Sequence, residues 1–169
     1  MEEKESVDDF MIPKDAMDKL NDPELLRRYV EEGKTFQEIL GYNDAAMDEF
    51  YRIARYLFEE QRFKESSDAF LFLTTLNPFI PDYWLGMGMC EQVNEEYKQA
   101  LVAYSMVTMS DMEQPLAHYQ SAACYHKLGD VDNALASLEK AIAQCGAEEE
   151  YISLKEEAVR SRDLLMRRM

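Results

Sequence analysis

Cysteine, glycine, proline and positive charge are all scarce in this chain of 169 residues. The three cysteines are an odd number with no Cys-x-x-Cys pair, which argues against a disulfide framework and against a cysteine-rich zinc site. Six glycines and five prolines, beside plentiful Ala, Leu, Glu and Met, point to an all-helical chain. Eighteen Lys and Arg stand against thirty-four Asp and Glu, a net charge of −16. Nucleic acid and anionic membrane surfaces both need basic patches, so neither is an expected partner. The acidity favours solubility and a partner that is basic or aggregation-prone. No apolar run approaches the ~18 residues of a membrane span. Met1-Glu2-Glu3-Lys4-Glu5 is acidic where a secretory signal is basic and then apolar, so a cytoplasmic protein is expected. No glycine-rich phosphate loop, nucleophile elbow or carboxylate motif for acid–base work occurs, so no enzyme, no cofactor and no metal are expected. With 47% apolar residues the chain can bury a core, and its length suits one compact unit plus a tail.

Local signals order the N-terminal part. Residues 1–21 read as an acidic flexible tail, with a transient helix from Asp15 to Leu20. Residues 22–46 read as an N-terminal helical extension. Asp22-Pro23-Glu24 is a helix start, with Asp as cap, Pro at the first helical position and Glu at the positive end of the dipole. That helix runs to about Glu32 and stops at Gly33. Thr35-Phe36-Gln37-Glu38 is a capping box for a short helix ending at Gly41. Asn43 or Asp44 caps the next.

What the chain does have is internal repetition. Sliding it by 34 residues places Pro81 on Pro115, Cys90 on Cys124 and Ala100 on Ala134. The opposite slide places Phe50 on Trp84, Ala54 on Gly88, Ser66 on Ala100 and Phe70 on Tyr104. A 34-residue period of paired helices is the tetratricopeptide signature. The predicted fold is an all-α tetratricopeptide solenoid of three helix pairs over 47–148 (47–80, 81–114 and 115–148), with a C-terminal helix over 149–169 as its cap. The small residues Ala54, Gly88 and Ala122 on first helices, and Ser66, Ala100 and Ala134 on second helices, should let the paired backbones approach. Departures are Met112 and Gly146 for the terminal Pro, Glu91 for an aromatic, and a turn glycine in the third unit alone. In the C-terminal helix Tyr151, Leu154, Ala158 and Leu165 share a face; a cap over the third repeat is preferred to a partner-binding helix.

The first helix of each unit should line a concave groove, through positions 2, 5, 9 and 12. These are Asp48, Tyr51, Arg55 and Phe58; Asp82, Leu85, Met89 and Gln92; and Leu116, Tyr119, Ala123 and His126. The fold should not need them apolar, because the core uses other positions. An apolar stripe here therefore reads as a binding surface, with N-terminal helices folding back into the groove as the alternative. Arg55 alone suits an anion, so an extended apolar peptide is a better guest than a C-terminal carboxylate. Cys90 and Cys124 read as small buried hydrophobes, and Cys145, near a helix end, as more exposed. Trp84 and His118 read as core filler. His126 and Cys124 make a poor zinc site.

With these residues in view, the chain resembles the class II chaperones of bacterial type III secretion over roughly Gly33 to Met166. Gly33-Lys34-Thr35, Leu85-Gly86-Met87-Gly88, Glu113-Gln114-Pro115 and Gly129-Asp130 carry the resemblance. It implies a cytoplasmic bacterial chaperone that binds an extended N-terminal segment of hydrophobic translocator proteins, with a Pro-x-Leu-x-x-Pro-like motif, and keeps them soluble and secretion-competent. Tyr51, Arg55, Phe58, Leu85, Met89, Gln92, Tyr119, Ala123 and His126 would line the peptide site, Arg55 departing from the usual apolar or small residue. A homodimer through the N-terminal helices is also implied. A generic repeat scaffold for folded proteins is the alternative.

Overall fold

The computed structural model describes residue 19, residues 21–109 and residues 114–167. Most of the expected N-terminal tail, and Met112, lie outside these. Among the described residues every regular element is helical. The order is α1 (Pro23–Glu31), α2 (Phe36–Leu40), α3 (Asp44–Glu59), α4 (Phe63–Leu76), α5 (Pro81–Val93), α6 (Tyr97–Thr108), α7 (Pro115–Lys127), α8 (Val131–Gln144), a 3₁₀ turn (Glu149–Tyr151) and α9 (Ile152–Met166). The C-terminal helix thus begins at Ile152, three residues after the expected start at 149 and beyond the Glu run that was expected to open it.

Capping sets the early boundaries. Asp22 Oδ1 accepts from the backbone N–H groups of Glu24 at 3.1 Å and Leu25 at 3.0 Å, with Pro23 at the first helical position. Thr35 and Glu38 form the reciprocal capping box of α2. Of the two candidate caps for α3, Asn43 is the one used; its Oδ1 accepts from Ala46 N at 2.8 Å. Each satisfies donors that a helix start otherwise leaves open. Gly33 and Gly41 take φ of +73° and +78° and stop α1 and α2.

From α3 onward each helix packs on its neighbours in sequence, and the first helices of successive pairs touch, α3 on α5 and α5 on α7. This is the nearest-neighbour architecture of a solenoid. The turns inside the three pairs have one geometry. In the first, Gln61 N donates to Phe58 O and Arg62 N to Leu57 O. In the second, Glu95 N donates to Gln92 O and Glu96 N to Glu91 O; in the third, Gly129 N donates to His126 O and Asp130 N to Tyr125 O. The left-handed residue is Gln61 at φ +60°, Glu95 at +64° and Gly129 at +79°. Only the third turn has glycine, yet all three are built alike.

The small residues sit at the helix crossings. Ala54, Ser66, Ala100 and Ala134 are inaccessible, and Gly88 and Ala122 are buried. Ser66 Oγ donates to Ala54 O at 2.8 Å, so the first crossing is tied by a buried hydrogen bond. A Cβ at Gly88 would lie 2.5 Å from a Tyr104 ring carbon. Tyr104 is fully buried there, and its hydroxyl donates to Gln92 Oε1 at 2.7 Å. Gly86 has the same role beneath Phe70, whose ring would meet a Cβ at 2.2 Å. The aromatic rings thus occupy the space that glycine leaves.

The core forms three clusters along the solenoid. Met47, Phe50, Phe70, Leu73 and Tyr83 anchor the first; Ala100, Tyr104, Val107 and Cys124 the second; Ala122, Leu138, Ala158 and Leu165 the third. Trp84, expected in the core, is half-buried. Its indole N–H donates to Pro78 O at 2.8 Å, while adjacent Tyr83 takes the buried place. Where Glu91 replaces the usual aromatic, its carboxylate accepts from the Ser67 hydroxyl of the preceding repeat.

Ala100→Glu will bring a carboxylate into a crossing with no room or solvent for it, and should abolish cooperative unfolding in a thermal melt followed by circular dichroism. An unchanged midpoint would refute the repeat frame. Glu95→Gly should act in the other direction. It relieves a left-handed strain of roughly 1–2 kcal/mol, partly offset by unfolded-chain entropy, so the midpoint should rise by about 2 °C.

Candidate functional site

The concave registers of α3, α5 and α7 are not the free stripe that the repeat frame suggests. Tyr51 and Phe58 pack on the first core cluster, Leu85 and Met89 on the second, and Tyr119 on the third. All five are half-buried, and the expectation that the fold does not use them is overturned. Tyr51 sets its ring 5.6 Å from Tyr83 and 6.0 Å from Phe70. Phe58 sets its ring edge-on to Phe63 at 5.2 Å. Such pairs are worth about 0.5–1.5 kcal/mol beyond area burial. The side chains at these positions on the first helices therefore form an outer layer of the core.

The polar members have distinct surroundings. Arg55 is exposed, 3.7 Å from Glu59, with its guanidinium 6.0 Å from the Tyr51 ring. Burial, and then the nearby Asp82 carboxylate, holds the Tyr51 phenol above its ordinary pKa; Arg55 pulls the other way. Gln92 has both ends engaged. Its carbonyl accepts from Tyr104, and its amide donates to Gln120 Oε1 at 3.2 Å. It ties the second pair internally and links it to α7, a structural part that its groove register did not reveal.

Ala123 and His126 lie with Tyr119 at the third repeat, and there the surface opens into a pocket of about 220 Å³. Ser161, Leu164 and Leu165 of α9 form part of its lining. Reading the groove from first helices alone missed these α9 residues. A signal was present, because Ser161 falls between Ala158 and Leu165 on the face already marked as inward.

No catalytic arrangement emerges around the cysteines. Cys90 and Cys124 are inaccessible, and burial pushes each thiol up to about 11. Cys90 Sγ lies 3.2 Å from Ser66 Oγ at the first crossing. Cys145, expected to be more exposed, is buried beneath the α8–α9 connection, and burial raises its thiol pKa too. His118 is half-buried, and burial lowers its pKa. Among the described residues no group of three or more His, Cys, Asp or Glu could hold a metal ion. No described helix is long and apolar enough to cross a membrane.

No family model matches the sequence. Among characterised proteins, "Low calcium response locus protein H" of Yersinia pestis is 20% identical over 113 residues, 67% of each chain. Among solved structures, PcrH, a Pseudomonas aeruginosa protein, in complex with the chaperone binding region of PopD superposes with a TM-score of 0.74 at 25% identity, over 76% of this chain and 96% of that one. The chain resembles the translocator chaperones of type III secretion. The Yersinia enterocolitica chaperone SycD, described in those words, gives a TM-score of 0.73 at 19% identity, over 78% of this chain and 98% of that one; another SycD structure is described as an alternative dimer. The translocator-chaperone fold accounts for the helix pairs, and its likeness extends over nearly the whole of each solved chain.

In that fold the three thiols are packing groups. Native protein at mildly alkaline pH should react with Ellman's reagent at well under one thiol per chain within minutes, and at all three once denatured. Rapid labelling of the native chain would contradict the burial described.

Proposed function

We propose that this chain is a non-catalytic chaperone of a type III secretion system, acting in the bacterial cytoplasm. It takes an extended apolar segment of a hydrophobic translocator protein and keeps that protein soluble and competent for secretion. The observation that carries this reading is the likeness, at 25% identity and over 96% of its length, to PcrH in complex with the chaperone binding region of PopD. The concave registers add chemical support. Tyr51, Phe58, Leu85, Met89 and Tyr119 offer apolar surface to spaced apolar residues, as in a Pro-x-Leu-x-x-Pro-like segment. Arg55 is the one Arg or Lys among the groove positions and suits an acid near the motif. Ala123 and His126 stand at the far end. Gln92 contributes by holding α5, α6 and α7 in place.

We assign residues 47–148 to the three repeats, 22–46 to a dimerising extension and 149–169 to the cap. Leu25, Leu26 and Tyr29 of α1 are half-buried and Val30 is exposed, with no residue of that helix buried. An amphipathic helix left uncovered in one chain suits a homodimer contact. A scaffold for folded proteins is the second reading. Val102 and Met109, 63% and 78% exposed at the second helix of the middle repeat, favour it.

A titration with the labelled PopD chaperone-binding region tests the proposal. Wild type should bind with about micromolar affinity, and Leu85→Asp should remove binding by placing a charge on an apolar surface. Leu85 also touches the core, so Met89→Gln, a milder change, should weaken binding several-fold at native helicity. Failure of the folded wild type to bind this or any other translocator segment would leave the scaffold reading.

A further inference from the structure

The concave registers change in size along the solenoid. At the ninth position of each repeat the side chain shrinks from Arg55 to Met89 to Ala123. In the second repeat Met89 fills its surroundings and packs against the core. In the third, Ala123 leaves the space open, and the pocket of about 220 Å³ lies there. Its lining comprises buried Ala122 and Leu138, Tyr119 and His126 of α7, and Ser161 and Leu164 of α9. Leu164 is 55% exposed, a large apolar side chain lining an apolar cavity.

We infer that α9 is more than a cap: it completes a side-chain pocket, built by Ala123, Ser161 and Leu164, that takes one large uncharged apolar residue at the end of the bound segment. The inference rests on the groove reading proposed above and extends it to the C-terminal helix. Three observations fix the occupant. No Asp, Glu, Lys or Arg lines the pocket, so a charged side chain would lose its hydration without a partner. A cavity of roughly 150 Å³ lined by aliphatic side chains is enough to hold benzene, so this one accepts a Phe, Leu or Met side chain. Tyr119, Ala123 and His126, the groove positions of α7, are part of its lining, so a segment that follows those positions along α3, α5 and α7 comes to it at the third repeat.

Two variants close the pocket from the α9 side. Ser161→Phe fills it with a ring, and Leu164→Arg puts a charge at a position exposed enough to be tolerated by the fold. The first probe is N-acetyl-phenylalaninamide, followed by amide chemical shifts. It should move Ala123, His126, Ser161 and Leu164 with a millimolar dissociation constant, as expected for a fragment of this size, and about ten-fold more weakly in either variant. N-acetyl-aspartamide should move none of them. The absence of phenylalaninamide shifts at these residues, or shifts unaltered in both variants at native helicity, would overturn the inference. The second probe is the PopD chaperone-binding region. Both variants should weaken it by about ten-fold. Loss of its binding in Leu85→Asp, with both α9 variants within two-fold of wild type, would sink the pocket and leave the groove reading standing. Failure of the folded wild type to bind this or any other translocator segment would overturn that reading and the assignment of this occupant with it.

Discussion

The close approach of paired helices is the constraint on which the rest of this molecule depends. Ala54 and Ser66, Gly88 and Ala100, and Ala122 and Ala134 are buried small residues at these crossings; Ser66 bonds to the Ala54 backbone, and at Gly88 even a methyl group would run into the Tyr104 ring. The large side chains must then stand to either side, and Phe70 and Tyr104 lie over the glycines that make room for them. Because each pair leaves an apolar face uncovered, the next pair must cover it. The first helices of successive pairs come into contact through this stacking. In the proposed groove reading, recognition would derive from the crossing geometry and not from a separate site placed on a finished scaffold.

Under the groove reading proposed above, one consequence is that binding and stability share residues. Tyr51 touches Phe70 and Tyr83, and Leu85 and Met89 rest on the cluster around Tyr104. A groove made from the outer layer of the core is pre-organised, because its side chains are held by packing before any guest arrives. The same arrangement limits how far the groove can change, since a substitution that alters the guest also alters the core. Surface ion pairs contribute little by comparison. Arg28–Glu32, Lys34–Glu32 and Arg55–Glu59 are exposed on both sides, and such pairs are individually weak.

The period of 34 was legible because it is written in small residues, which sterics protects at every crossing. The caps of α1 and α2 were legible because they depend on local chemistry at Asp22, Thr35 and Glu38. What could not be read is what depends on distant elements. Cys145 lies at a helix end in sequence but is covered where the chain turns into α9. Gln92 sits at a groove position, yet its amide is committed to Gln120 and its carbonyl to Tyr104. Trp84 holds the register of Phe50, but hydrogen bonding to Pro78 keeps its indole at the edge while Tyr83 goes inward. The turns give the opposite lesson. Gln61 and Glu95 hold a conformation that glycine suits best, so the backbone keeps a signature that two of three sequences have lost. Neighbouring helices impose the turn.

The position of α9 bears on direction. A stack of identical helix pairs presents the same surface at every step, and an extended chain laid along it has no preferred starting point. Both ends of the stack carry a helix from outside the repeats, α2 against the first repeat and α9 against the third, and at the third α9 contributes to the lining of a pocket. That breaks the translational symmetry of the groove. A guest can slide along a periodic surface; under the pocket inferred above, it would stop in one register at that end, and its polarity would be set by which end it presents there. On that inference the C-terminal helix would give a repetitive fold an origin from which position along the guest is measured.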